Sequence, residues 1–159
     1  MRLAPYGVIC GLAIVACFEH APRRGPLAAR ADSIVPRSQP LRCRRFSQSV
    51  LLPQQAPHHA CTPEADSTAV LYIGRSGRVL GLLESWANDS IGLDRATRTV
   101  AALSAQLGPP TYQGPDQHGV LVHAWRTDSL CVGVYVFPRE TDPIQLSHST
   151  VDFFGGCVN

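Results

Sequence analysis

Six cysteines and six histidines are the residues of this 159-residue chain best equipped for chemistry. The cysteines stand at positions 10, 17, 43, 61, 131 and 157, and none is spaced as Cys-x-x-Cys. A zinc ribbon or a thioredoxin-type redox site is therefore not expected. His58-His59 could hold a metal weakly, but no third ligand lies nearby in sequence. On a strand, the spacing of His118 and His123 points them to opposite faces, which argues against shared ligation. His148 lies between Ser147 and Ser149, yet no Gly-x-Ser-x-Gly elbow accompanies it. Carboxylate pairs and phosphate loops are also missing from the sequence. A structural or surface role is the better reading of His118, His123 and His148. The sequence therefore predicts no catalytic residue, no metal and no cofactor.

The cysteines make more sense once the leader is considered. Met1-Arg2 is followed by Leu3 to Ala16, a stretch without charge that is too short to span a bilayer, which needs about 20 apolar residues as helix. A basic start, a short apolar core and a small-residue boundary make a signal peptide over residues 1–16. The boundary Ile14-Val15-Ala16-Cys17 resembles the lipobox of bacterial prolipoproteins. That resemblance implies cleavage before Cys17, a lipid on its sulfur and anchoring of the chain in a membrane. Several buried acyl chains give stable retention where one gives only marginal binding. Phe18 stands where Asp would favour inner-membrane retention, so the resemblance points to the outer membrane, or the periplasmic side, of a Gram-negative envelope. The alternative is an ordinary signal cleavage after Ala16 and a secreted product. With Cys10 lost and Cys17 lipidated, Cys43, Cys61, Cys131 and Cys157 remain, an even number for an oxidising compartment.

Charge divides the chain. All 14 basic residues are arginine, and against 12 acids they leave a net charge of +2, which argues against a nucleic-acid partner. Residues 1–60 hold eight arginines and two acids, whereas residues 61–159 hold six arginines and ten acids. The stretch from Phe18 to Pro63 contains seven prolines and the basic run Arg42-Cys43-Arg44-Arg45. It predicts a disordered Pro/Arg-rich tether over residues 17–62, with a short strand at Ser47–Leu52 as an option. The arginines there could rest on anionic head groups or be a plain solvated linker.

Residues 63–159 carry the patterns of a folded unit. Thr68–Ile73 and Arg78–Leu83 flank Gly74-Arg75-Ser76-Gly77 and read as a hairpin. A helix over Arg78–Ala87 is the rival, since Val79, Leu82, Leu83 and Trp86 share a helical face. Leu93, Ala96, Val100, Leu103 and Leu107 form one face of a helix that Gly108-Pro109-Pro110 ends. Strands follow at Gly119–Trp125, Leu130–Phe137 and Ile144–Phe154, the outer two as edges, with a turn at Thr127-Asp128 that sets Ala124 near Cys131. The prediction is an α+β domain: a small antiparallel sheet of about five strands in the order β-β-α-β-β-β, with one helix packed on a face.

Leu107-Gly108-Pro109-Pro110-Thr111 after a helix, then His123-Ala124-Trp125 on a strand, resembles BamE/SmpA-like envelope lipoprotein domains over residues 93–137. Those have a helix ending in Leu-Gly-x-Pro before aromatic-bearing strands, and a second helix where this chain has the expected hairpin. The resemblance speaks to architecture, not to a partner. For the cysteines, Gly155-Gly156 would let Cys157 fold back to Cys131, leaving Cys43 to pair with Cys61; a Cys61–Cys157 bond is the rival. Two functions remain. One is a noncatalytic envelope lipoprotein that binds a protein partner, with Tyr112, Trp125 and Tyr135 as anchors beside a sheet edge. The other is a small exported enzyme or ligand-binding domain with a site near Trp86, His123 and His148. Asn88-Asp89-Ser90 matches a glycosylation sequon, which a bacterial leader makes irrelevant.

Overall fold

A computed structural model describes residues 23–45, 59–64, 68–151 and 153. The leader, Cys17, Ser47–Leu52, His58 and Cys157 lie outside the described residues. In chain order the elements are α1 (Ala28–Ile34), β1 (Leu41–Arg45), β2 (His59–Pro63), β3 (Ala69–Ile73), β4 (Val79–Trp86), α2 (Ser90–Leu107), β5 (Tyr112–Pro115), β6 (Leu121–Arg126), β7 (Leu130–Val136) and β8 (Ile144–Thr150). All strands join one eight-stranded antiparallel sheet in the order β1-β2-β3-β4-β8-β7-β6-β5. Two meanders, β1–β4 and β5–β8, thus meet where β4 pairs with β8.

The fold is α+β, but the expected five-stranded β-β-α-β-β-β sheet with one helix is overturned. The described part of the expected tether is folded, as α1, β1 and β2. Leu27, Ala31 and Val35 recur every fourth residue and are buried against Cys61, Leu71, Val79 and Leu82. Pro26 and Pro36 confine this helix to two turns, which hid its period among prolines. Buried Arg23 completes it: Nη1 donates to the carbonyls of Val35 and Ala31 and to Asp32 Oδ1, the last at 3.1 Å. Those carbonyls lie at the helix C-terminus, where a cation is favoured. Asp32 is held below the usual carboxylate range, chiefly by its hydrogen bond from Arg37.

The hairpin of β3 and β4 forms, and residues 78–86 are strand rather than the rival helix. Helix α2 begins three residues before Leu93. Asp89 Oδ1 accepts from Gly92 N at 2.7 Å as its N-cap, and Gly108, at φ 86°, closes the other end. Ala96, Val100 and Leu103 pack on the sheet, while Leu93 and Leu107 at the two ends stay exposed. Two further corrections concern the second meander. The turn after β6 sets Arg126, not Ala124, opposite Cys131. Neither β6 nor β8 is an edge: β5 covers the former and β4 the latter.

Cross-strand register shows that both helices cover one face of the sheet. Cys43, Cys61, Leu71, Leu82, His148, Val132 and Trp125 are successive partners along that face. On the reverse face Tyr135 folds over Gly133, and Phe153 over Gly81 beside Tyr72. Cys43 and Cys61, directly opposed on β1 and β2, form a disulfide, one of the pairings left open by the sequence. Cys131 is also disulfide-bonded.

The Cys43–Cys61 bond closes a loop of 18 residues. Replacing both cysteines by serine should lower unfolding free energy by about 3 kcal/mol, read from urea melts. Equal stability of the two proteins would show that the bond adds nothing to the fold. A second prediction concerns Gly92, where a Cβ would collide with the Ala87 carbonyl and meet the Trp86 ring at 3.0 Å. Gly92→Ala should destabilise the protein by about 1–3 kcal/mol, as overpacking does. A melting temperature equal to wild type would refute the close approach.

Candidate functional site

The helices lie side by side on the sheet and leave a cleft of about 420 Å³ between them. One wall is Pro26, Leu27 and Arg30 around the start of α1; the other is Thr99, Leu103 and Gln106 of α2. The floor is Leu130 and Val132 of β7 with Leu146 and His148 of β8. A second cleft of about 400 Å³ adjoins the end of α1 and holds Glu84, Trp86 and Arg95. Arg30 and Arg95 reach across from the two helices to a single carboxylate, Glu84 of β4, at 3.1 and 3.9 Å. This ion bridge stands between the clefts.

His148 is the distinctive group. Its register partners are Leu82 on β4 and Val132 on β7, so apolar side chains flank it on both sides. It is 8% exposed, and its Nδ1 is enclosed without a hydrogen-bond partner. Burial first, and the neighbouring Arg30 cation second, push the imidazole down to about 4. It is therefore neutral at pH 7. An unsatisfied buried polar atom costs roughly 1–3 kcal/mol, so a group held in this state calls for a reason.

The other expected residues do not converge on it. Trp86, His123 and His148 share the helix face, but Trp86 lines the second cleft and His123 stands two strands from His148. His123 also has an enclosed Nδ1 without a partner, and burial lowers its pKa. Trp86 is committed locally: its Nε1 donates to Gly92 O at 3.0 Å and Arg95 stacks over the ring at 4.3 Å. The three anchors proposed for a partner are also split. Trp125 is 2% exposed under α2, with Nε1 donating to Gly108 O at 3.0 Å. Tyr112 and Tyr135 lie on the reverse face, packed on Val120, Val122 and Ala124. His118 sits in the turn before β6, beside Gln117. Asn88 donates its amide to the carbonyls of Phe137 and Arg139, a structural role.

Among the described residues, no group of three metal-ligating side chains gathers, and no helix is long and apolar enough to cross a membrane. Sequence reasoning missed Arg30 and Glu84. The signal for Arg30 was the spacing of Leu27, Ala31, Ile34 and Val35, which makes its helix amphipathic.

No protein-family profile, curated protein or solved structure matches this chain. The likeness to envelope lipoprotein domains therefore rests on the residues quoted for it, and function has to be argued from the site.

Unfolded, His148 titrates near 6.5. The unfolded chain thus binds more protons than the folded one between about 6.5 and about 4, and stability falls as pH drops through that window. The full fall attributable to His148 is about 3 kcal/mol. Urea melts at pH 7, 5.5 and 4 should show it, and His148→Gln should remove most of the slope. An unchanged slope in that variant would place the titration elsewhere.

Proposed function

We propose that this protein is an exported, lipid-anchored envelope module that works by binding rather than by catalysis. The Cys43–Cys61 disulfide carries the export reading, since such bonds persist in oxidising compartments. The bonding of Cys131 agrees with it, and the anchor is read from the lipobox-like Ile14-Val15-Ala16-Cys17. In this reading the membrane is one partner, reached through the N-terminal lipid, and an envelope protein is a second; nucleic acid is not a partner.

The state of His148 supports binding over catalysis. A general base needs a group that orients it and a substrate proton or nucleophile within hydrogen-bond reach. Among the described residues no side chain orients His148 through Nδ1, and its depressed pKa makes it a poor base near neutrality. A neutral imidazole with an unpartnered nitrogen on the floor of a cleft suits a bound group that supplies the missing hydrogen bond. The separation of Trp86, His123 and His148 removes the assembled three-residue site that the enzyme reading needed.

Intact mass of protein extracted from membranes should show a diacylglyceryl adduct on a chain that begins at Cys17. Cys17→Ala should shift the protein to the soluble fraction. A soluble wild-type product beginning at an unmodified Cys17 would remove the anchor. Ester or amide hydrolysis that is lost in His148→Ala would overturn the binding reading independently of the anchor.

A further inference from the structure

We propose that the cleft between α1 and α2 is a binding site for a single acyl chain ending in a carboxylate, with the chain along Leu27, Leu103, Leu107, Val132 and Leu146 and the head group at His148 and Arg30. The inference rests on the reading of the protein as a binding module and names the ligand class of its candidate site.

Three observations carry it. First, the apolar part of the lining is aliphatic. Leucines from the start of α1 and from α2, β7 and β8 converge there, and no Phe, Tyr or Trp is among the described residues that line the cleft. Such a surface offers a flat ring ligand no large aromatic face, whereas a flexible hydrocarbon chain fits it. Leu107 remains 38% exposed at its edge, apolar surface that a chain would cover. The volume falls within the usual range for small-molecule sites, about 300–1,000 Å³.

Second, the charge is one-sided. The described lining has no carboxylate, and its one charged residue is Arg30. Among the described residues, Arg30 and Arg95 share one carboxylate, Glu84. A second carboxylate would balance the pair, and a guanidinium binds a carboxylate through parallel N–H donors.

Third, His148 is more than nine-tenths buried, lines the same cleft and has an enclosed ring nitrogen without a partner. A carboxylate seated between His148 and Arg30 gives the imidazole N–H an acceptor and Arg30 a second anionic partner beside Glu84. Thr99 and Gln106 on the α2 wall supply further hydrogen-bonding groups. The hydrocarbon then needs only the leucine-lined trough.

Titration calorimetry below micelle-forming concentrations tests this on the full chain carrying Cys17→Ser, so that no attached lipid competes. Hexadecanoate should bind with one-to-one stoichiometry. Hexadecanol, which has the chain without the charge, should bind about tenfold more weakly. Ala102→Trp, an exposed position on the α2 wall, should abolish hexadecanoate binding with its circular dichroism and melting curve unchanged. Arg30→Gln should narrow the gap between acid and alcohol. Absence of hexadecanoate binding, or binding that Ala102→Trp leaves intact, overturns the site. Equal affinity for acid and alcohol overturns the head-group assignment. Tighter binding of a lysophosphatidylglycerol than of hexadecanoate overturns the carboxylate in favour of a phosphate head. The mass on Cys17 and the hydrolysis assay report on the anchored-module reading separately, so failure of one leaves the other standing.

Discussion

The pairing of Gly81–Trp86 with Ile144–Ser149 holds the molecule together. Remove that seam and the sheet becomes two four-stranded meanders, each with one helix and a raw edge. Its strands are far apart in sequence, so closing it is entropically expensive and comes only after the local hairpins have formed. The seam also decides the chemistry. It places His148 opposite Leu82 and so buries an imidazole that its serine neighbours would otherwise keep wet. It brings α1, which belongs to the first meander, beside α2, which spans the second, and the cleft is the space between them.

Much of the fold was legible where side-chain pattern and packing agree. Helix α2 announced itself through Ala96, Val100 and Leu103 and through Gly108 at its end, because one face of it is buried and the other is not. The hairpin of β3 and β4 was legible from the two apolar runs around Gly74–Gly77. The illegible strands are those whose side chains carry no such signal. On β1, Arg42, Arg44 and Arg45 face water, and the strand is held by backbone pairing and one disulfide. On β5, Tyr112-Gln113-Gly114-Pro115 reads as a turn and pairs on one side only. Edge strands need little burial, so composition alone resembles a linker.

The site was legible in part for the same reason. His148 was visible as a candidate, but the polar run Ser147–Thr150 looked like a solvent-facing edge. The structure makes that strand central, with Ser149 and Thr150 buried as well. Arg30 was hidden because its helix lies between prolines in a stretch that composition reads as tether. A three-residue guess assembled from Trp86, His123 and His148 had the face right and the distances wrong, since side-chain alternation reports which side of a sheet a residue occupies and not how many strands separate two residues.

The disulfide between β1 and β2 has a mechanical meaning if the chain is held at its N-terminus. A pull from that end reaches α1 first and then β1, the outermost strand, whose backbone bonds to β2 would open one after another like a zipper. Peeling of this kind needs little force, because the bonds break singly. It cannot pass Cys43. There the load crosses a covalent bond to Cys61, on a strand flanked on both sides, and the segment between the two cysteines carries none of it. Peeling from the anchor therefore ends at the disulfide, and the β4–β8 seam stays closed.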